Sequence, residues 1–511
     1  MYVGDYLGRR AIYTPDNLAV VDAGKTPHRS FTYADLNNRA NRLANWLRNG
    51  AGVQKRDRVA ILAYDGVEFL DVFFACGKLG AIFVSLNWRL HWRELGTLLQ
   101  DTSPTVLIYS DAFKDKVENI VEMVDSIHHL VHLDGDGLPN SRYYEKTLAE
   151  SVLVPVTTDD VTEEDIACLI FTGGTTGLPK GAQISHRMIA WNTLNTIIHD
   201  LHHGDVTVNS FPMFHTGGLL VYTTPLLILG GTVILTRKFD AAQVLKLIEE
   251  YAVTVYAGVP TMYQMMTTAP NWADADLSTL RFCTSGGAPL PVELVRQYGD
   301  EKDVHFKQGF GMSEFGPGVF ALASEDAIRK AGSIGRPNFF VDARIVNENN
   351  EPLPPGEIGE LVLRGPSMSS GYFNMPEESA AAVDDEGWFH TGDVAVTDDN
   401  WYFRIVDRKK DLFISGGEKI YPTEIENILY KHKAVHMCAV VGVQDEKWGE
   451  VGKAFVVLKA DHTATAEELI AHMQHHLAGF KVPRSVEIVD ELPISGAGKI
   501  LKRELVDEAT S

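Results

Sequence analysis

Along residues 30–110 the apolar positions switch repeatedly between two periods. In SFTYADLNNRANRLANWLRNGAG, Leu36, Ala40, Leu43 and Leu47 recur at the spacing of one helix face, and Gly50, Ala51 and Gly52 end it. RVAILA (58–63) is an unbroken apolar run of strand length. Residues 67–79 return to a helix, 82–86 to a strand, 92–100 to a helix and 105–109 to a strand. Such alternation predicts an α/β fold on a largely parallel sheet. Residues 111–160 carry a weaker, more polar pattern and read as a peripheral connection.

From residue 166 the alternation resumes. Residues 166–171 (IACLIF) predict a buried strand, and 206–211, 232–235, 254–259 and 281–285 predict four more. Residues 240–251 form an amphipathic helix with Val244, Leu247, Ile248 and Tyr251 inward. Glycine- or proline-bearing turns follow the strands: FPMFH (211–215), GVPT (258–261), SGGAP (285–289) and QGFG (308–311). Ligands gather at the carboxyl ends of strands in open α/β sheets, so these loops predict one shared ligand site. From Gly332 prolines and glycines punctuate short strands at 360–364 and 401–406, the pattern of an antiparallel β subdomain. The charged run DRKKD (407–411) precedes a last α/β pattern, with strands at 439–443 and 453–458 and a helix at 466–477. The expected organisation is a large N-terminal domain (1–409, with 332–407 as β subdomain) and a small C-terminal domain (410–511).

Composition narrows the function. A chain of 511 residues exceeds one ordinary core. A formal net charge of −22 argues against nucleic acid and anionic membrane surfaces as partners. Cys76, Cys168, Cys283 and Cys438 are scattered without a CxxC pair and read as free thiols in a reducing compartment. MYVGDYLGRRAIYTP has no apolar core of a signal peptide, and no window approaches the roughly 18 apolar residues of a membrane span. A cytoplasmic enzyme is the expectation.

The densest candidate chemistry is FTGGTTGLPKG (171–181), directly after the apolar run. Its glycines free the backbone to aim successive N–H groups at an anion; Thr172, Thr175 and Thr176 add hydroxyl donors and Lys180 a compact charge. It is a phosphate cradle in composition. It is not a Walker A loop, because Pro179 precedes the lysine and Gly181 follows it.

With FPMFHTGG, SGGAPL, QGFGMSE (308–314), WFHTGD (388–393), IVDRKKD (405–411), SGGEKIYPTEIE (415–426) and PISGAGK (493–499), the chain resembles the adenylate-forming superfamily of acyl-CoA synthetases, adenylation domains and beetle luciferase. The motifs run in the family order over essentially the whole length. The resemblance implies a mobile C-terminal domain and two steps. A carboxylate first attacks the α-phosphate of ATP, giving acyl-adenylate and pyrophosphate; a thiol then displaces AMP.

The roles it implies fit the residue types. Thr172, Gly173, Gly174, Thr175, Thr176, Gly177 and Lys180 would hold the β- and γ-phosphates, where negative charge accumulates. Glu314 offers the hard carboxylate oxygen that Mg²⁺ prefers, and Ser313 would touch the α-phosphate. Phe310, between Gly309 and Gly311, and the backbone of Gly287, Ala288 and Pro289 would sandwich the adenine. Asp393 and Arg408 would bind the ribose hydroxyls. Lys499 would bridge the attacking carboxylate and the α-phosphate as the catalytic cation. Lys410 marks the hinge, and Gly416 and Gly417 a channel for the pantetheine arm of CoA. His215 would stand at the mouth of an acyl pocket lined by Thr216, Gly217, Gly218, Val259, Met262, Gly287, Gly309, Gly311, Met312 and Gly318. Two departures stand out: Gly173 replaces a serine common in the loop, and Ile494 stands where a basic residue is frequent.

The leading expectation is an ATP- and Mg²⁺-dependent acyl- or aryl-CoA ligase for a hydrophobic medium-chain or aromatic acid. The alternatives are a carrier-protein-loading adenylation enzyme, disfavoured by His215-Thr216 where that class usually has an aspartate, a luciferase-like oxygenase, and a non-catalytic nucleotide-binding protein. A homodimer is left open. His199, His202 and His203, and His472, His475 and His476, have metal-compatible helix spacing but no accompanying motif, and read as solvated faces.

Overall fold

The computed structural model describes residues 3–156, 160–172, 179–445, 447–460, 462–494 and 500–510. Contacts divide the chain into two units, Met1–Asp342 with Arg364–Phe389, and Ala343–Leu363 with His390–Ser511.

The first unit is the expected α/β structure. A seven-stranded sheet runs Arg142–Tyr143, His129–His132, Val106–Tyr109, Arg58–Leu62, Ile82–Ser85, Ile166–Thr172, Lys180–Ser185. Every neighbouring pair is parallel except the last, Ile166–Thr172 against Lys180–Ser185. Residues 111–160 are therefore more than a connection. They supply the edge strand Arg142–Tyr143, its neighbour His129–His132, and the helices Lys114–Val121 and Tyr144–Glu150. Their pattern is weak because short strands at and next to a sheet edge are buried less completely: Arg142 and Tyr143 are exposed, and His129 and Leu130 are half-exposed while Val131 and His132 are buried.

The helix Tyr33–Asn49 turns Leu36, Ala40, Leu43 and Leu47 fully inward, and Thr32 and Asp35 cap it reciprocally. The helix Val67–Leu79 is buried on every side, charged residues included. Its Glu68 pairs with Arg29 at 2.7 Å, its Asp71 with Arg39 at 2.8 Å, and its Lys78 with Asp5. Buried charges persist only when paired in this way.

Two further sheets adjoin. One runs Val206–Asn209, Thr232–Leu235, Leu18–Asp22, Arg29–Thr32; the other runs Val255–Gly258, Phe282–Gly286, Phe306–Met312, Gly316–Leu322, Arg336–Pro337. The Thr254 N–H donates to Val206 O at 2.9 Å and links them. QGFG, expected as a turn, is strand: Phe306–Met312 continues through it and pairs antiparallel with Gly316–Leu322. Glycine there serves close approach, since a Cβ on Gly311 would lie 2.2 Å from Pro317 O.

In the second unit the β region forms one sheet of Asp342–Val346, Gly359–Arg364, Phe389–Thr397 and Phe403–Arg408, whose end residues Asp342, Arg364 and Phe389 count with the first unit. A second sheet runs Glu418–Ile420, Phe413–Ser415, Gly449–Leu458, Val435–Asp445, with Ser485–Ile488 paired to Gly449–Leu458. All four cysteines are buried and free. Among the described residues no helix is long and apolar enough to cross a membrane.

Candidate active site

In the first unit the phosphate-cradle sequence sits on a strand pair. Thr172 ends one strand, Lys180 begins its antiparallel partner, and the two face each other in register. A strand, not a helix, follows the loop. Gly173, Gly174, Thr175, Thr176 and Gly177 lie outside the described residues, as does Lys499.

Beyond the strand pair, SSGYF (369–373) runs alongside Lys180–Ser185. Gln183 N–H donates to Gly371 O at 2.9 Å and Phe373 N–H to Gly181 O at 2.8 Å. The backbone turns at Gly371, φ +111°, where a Cβ would lie 2.7 Å from Ser379 Oγ. That Oγ accepts the Tyr372 N–H at 2.8 Å. The result is a fixed Tyr372. Its hydroxyl donates to Glu314 Oε1 at 2.9 Å, and its ring lies 5.1 Å from Lys180 Nζ. Glu314 O in turn accepts the Ser369 N–H at 2.8 Å. Burial and the adjacent carboxylate raise the phenol well above its usual range, so it remains a donor. Lysine, tyrosine and carboxylate thus form one bridged set from three distant stretches. Tyr372 carries no local signature in the sequence; a tyrosine after a glycine in a polar stretch was the only trace.

Gly287, Ala288 and Pro289, expected to form the adenine loop, are exposed at the end of the strand Phe282–Gly286. Gly287 has φ +79°, and a Cβ there would meet Val259 Cγ1 at 3.5 Å, so two expected pocket residues are neighbours. Gln308 Oε1 accepts the Leu290 N–H at 3.3 Å and ties this loop to the next strand. Phe310, Met312 and Ser313 are half-buried, and Phe310 packs edge-on against Phe320 at 5.8 Å. Gly318 N–H donates to Asn192 Oδ1 at 3.1 Å.

His215 precedes the short helix Thr216–Leu220 and lies 4.7 Å from the Phe214 ring. Gly218 is needed for the tight path, because a Cβ would lie 2.3 Å from Pro212 O, whereas a Cβ on Gly217 meets only Phe211 near 3.9 Å. Asp65 anchors this loop. Its two carboxylate oxygens accept the Met213 N–H at 3.1 and 3.2 Å, and it is 5% exposed. Burial pushes its carboxyl up to about 7 against the opposing pull of the Met213 N–H, Arg89 and Arg237. Nothing local in the sequence distinguishes this aspartate.

In the second unit Asp393 and Arg408 are register partners on Phe389–Thr397 and Phe403–Arg408. Arg408 Nε lies 2.6 Å from Asp393 Oδ1, and Asp393 is 2% exposed. Lys410 is exposed just after this strand pair, inside the second unit. Gly416 (φ +59°) and Gly417 (φ +89°) form the two-residue turn between Phe413–Ser415 and Glu418–Ile420. Two positive φ values in a hairpin turn favour glycine on backbone grounds alone.

Residues 7–373 match the family of AMP-binding enzymes, and residues 424–499 match the AMP-binding enzyme C-terminal domain. The chain is 43% identical over 504 residues to a feruloyl-CoA synthase of Amycolatopsis sp, covering 98% of each protein. It is 38% identical to an indoleacetate–CoA ligase of Aromatoleum aromaticum, over 100% of this chain and 99% of that protein. The crystal structure of ATP-bound MatB from Rhodopseudomonas palustris superposes with a TM-score of 0.91 at 30% identity, covering 100% of this chain and 99% of MatB. The chain belongs to the adenylate-forming AMP-binding enzymes. Within them it is an AMP-forming acyl-CoA synthetase.

Proposed function

We propose that this enzyme joins an aromatic or other hydrophobic carboxylic acid to CoA in two half-reactions, with the first unit holding the pyrophosphate side of ATP. The observation that carries this reading is the Lys180–Tyr372–Glu314 set, in which Tyr372 joins a cation at the start of Lys180–Ser185 to an oriented carboxylate from the turn between Phe306–Met312 and Gly316–Leu322. Lys180 stabilises the charge that builds on the departing pyrophosphate. Tyr372 occupies Glu314 Oε1 and leaves Oε2 for a hard cation. Among the described residues no group of three or more His, Cys, Asp or Glu could hold a metal. Glu314 would hold a Mg²⁺ ion, which would offset the negative charge of the ATP phosphates. Asp393, held by Arg408, accepts ribose hydroxyls. His215 orients the acid at the pocket mouth, and Lys499 neutralises the transition state between carboxylate and α-phosphate.

A hinge at Lys410, separating residues 1–409 from 410–511, then exchanges Lys499 for the Gly416-Gly417 turn, beside which the pantetheine thiol reaches the acyl carbon. Relatives named for feruloyl and indoleacetate substrates support an aromatic acid; others named for long-chain fatty acids keep the aliphatic class in the panel. The use of ATP and CoA supports a cytoplasmic site of action, and a homodimer is testable by sedimentation. The deciding experiment is pyrophosphate release across a panel of carboxylic acids, with and without CoA. ATP-dependent release with an aromatic acid and CoA-dependent AMP release are expected; no release with any acid would sink the reading. Adenylate formation indifferent to CoA would leave adenylation and remove the ligase step.

A further inference from the structure

The parallel strands Val255–Gly258, Phe282–Gly286 and Phe306–Met312 place Thr284 beside Ala257 and Lys307, and Gly286 beside Gly309. Residues two apart on a strand share a face, so Thr284 with Gly286, and Lys307 with Gly309, lie on one side of the sheet. Cys283 and Ser285 are buried on the other. Neither Gly286 nor Gly309 carries a side chain: a Cβ on Gly309 would sit in ordinary contact with Thr284 Cγ2 at 3.8 Å and Phe320 O at 3.9 Å, and one on Gly286 would lie 3.2 Å from Gly309 O. Thr284 lies two residues, roughly 7 Å, down the strand from Gly286, away from the adenine loop.

At that depth stands Tyr222, between the helices Thr216–Leu220 and Thr223–Leu229. It is 8% exposed, and its hydroxyl lies 2.6 Å from Thr284 Oγ1. Two hydroxyls bonded to each other use one of their two O–H donors, leaving a second donor and spare lone pairs. Lys307, next in register, is otherwise engaged: Nζ donates to His199 O at 2.8 Å and sits 3.6 Å over the Phe282 ring. The hydroxyl pair is therefore the polar group next along this face from the two glycines, Gly286 and Gly309.

We propose that the Tyr222–Thr284 pair is the distal grip of the acyl site and selects aromatic acids that carry a ring hydroxyl. The inference rests on the ligase reading above and deepens it. A planar acid whose carboxyl lies near Gly287 sets its ring over Gly286 and Gly309, and its ring hydroxyl exchanges hydrogen bonds with the pair. An acid without that hydroxyl strips water from both side chains and returns no bond, which is the costly case.

The test compares thioester formation from 4-hydroxycinnamate, cinnamate and octanoate in the full-length wild type, Tyr222→Phe and Thr284→Val, with pyrophosphate release measured in parallel. The wild type should favour 4-hydroxycinnamate over cinnamate in kcat/KM by about tenfold or more, and each variant should lower that ratio about tenfold, the scale of one hydrogen bond. The ratio is internal to each protein, so partial misfolding lowers both acids and leaves it unchanged. A wild-type ratio near one, a preference for octanoate, or variants that lose both cinnamates equally would overturn the proposal. Pyrophosphate release with none of the three acids, nor with any acid of a wider panel, would overturn the ligase reading and this inference with it.

Discussion

Asp65→Asn should flatten the pH dependence of stability in the N-terminal unit. Asp65 is buried behind the FPMFH loop, where its two oxygens share the Met213 N–H at 3.1 and 3.2 Å. Burial raises its carboxyl from 3.8 to about 7. Between those values the native state holds a proton that the unfolded chain has already released, so stability falls as pH rises through the window. The contribution is fully present below about pH 4 and gone above about pH 7. About three pH units at about 1.4 kcal/mol each amount to about 4 kcal/mol. Asparagine offers Met213 the same kind of acceptor and does not titrate. The difference in unfolding free energy, variant minus wild type, should therefore grow by about 4 kcal/mol between pH 4 and pH 8. Urea unfolding of the full chain at several pH values measures it, and hydrogen exchange on peptides covering 206–220 reports on the loop itself. Asp65→Ala serves as contrast: it does not titrate either but strands a buried N–H, so it should lie about 1–3 kcal/mol below Asp65→Asn at every pH. Wild-type and Asp65→Asn curves that stay parallel across the range would refute the reasoning.

Three further outcomes follow from the site. Tyr372→Phe removes the donor to Glu314 but keeps the ring beside Lys180, and should lower kcat/KM for ATP in pyrophosphate exchange about tenfold; an unchanged value would mean that the tyrosine does not orient the carboxylate. Lys499→Ala should abolish adenylation while still converting supplied acyl-adenylate and CoA to thioester, and equal loss of both steps would overturn the two-state scheme. Gly417→Ala places a side chain at φ +89° with no neighbour within 4 Å, so it should cost about 1 kcal/mol of stability in the second unit. It should also slow CoA-dependent AMP release more than pyrophosphate release; equal slowing would leave the two glycines a turn requirement only.

Much of the fold was legible because its signals are local. The helix Val67–Leu79 and the strand Arg58–Leu62 are bounded by their own apolar runs, and Leu36, Ala40, Leu43 and Leu47 mark a buried face by spacing alone. Where the signal was weak, the reading was less complete. The two short strands in residues 111–160 lack a continuous apolar run, and glycines in QGFGM resemble a turn although close approach to Pro317 is what requires one of them. Asp65 and Tyr372 were not legible at all, because an aspartate or tyrosine acquires its role only from a partner 148 or 58 residues away.

The chain's order of residues determined which chemical groups are available and in what sequence they come: the cradle with Lys180, Glu314 behind its glycines, Asp393, Arg408, and a lysine near the far end. Composition and periodicity reach only a few residues along the chain, far enough to set helices, strands and turns. Only the tertiary structure decided which groups meet. Strand register set Asp393 against Arg408 and Gly286 beside Gly309, and the run of 369–373 along Lys180–Ser185 carried Tyr372 to Glu314. Those neighbours come from backbone hydrogen bonds and packing between distant segments, and a periodic pattern carries no record of them.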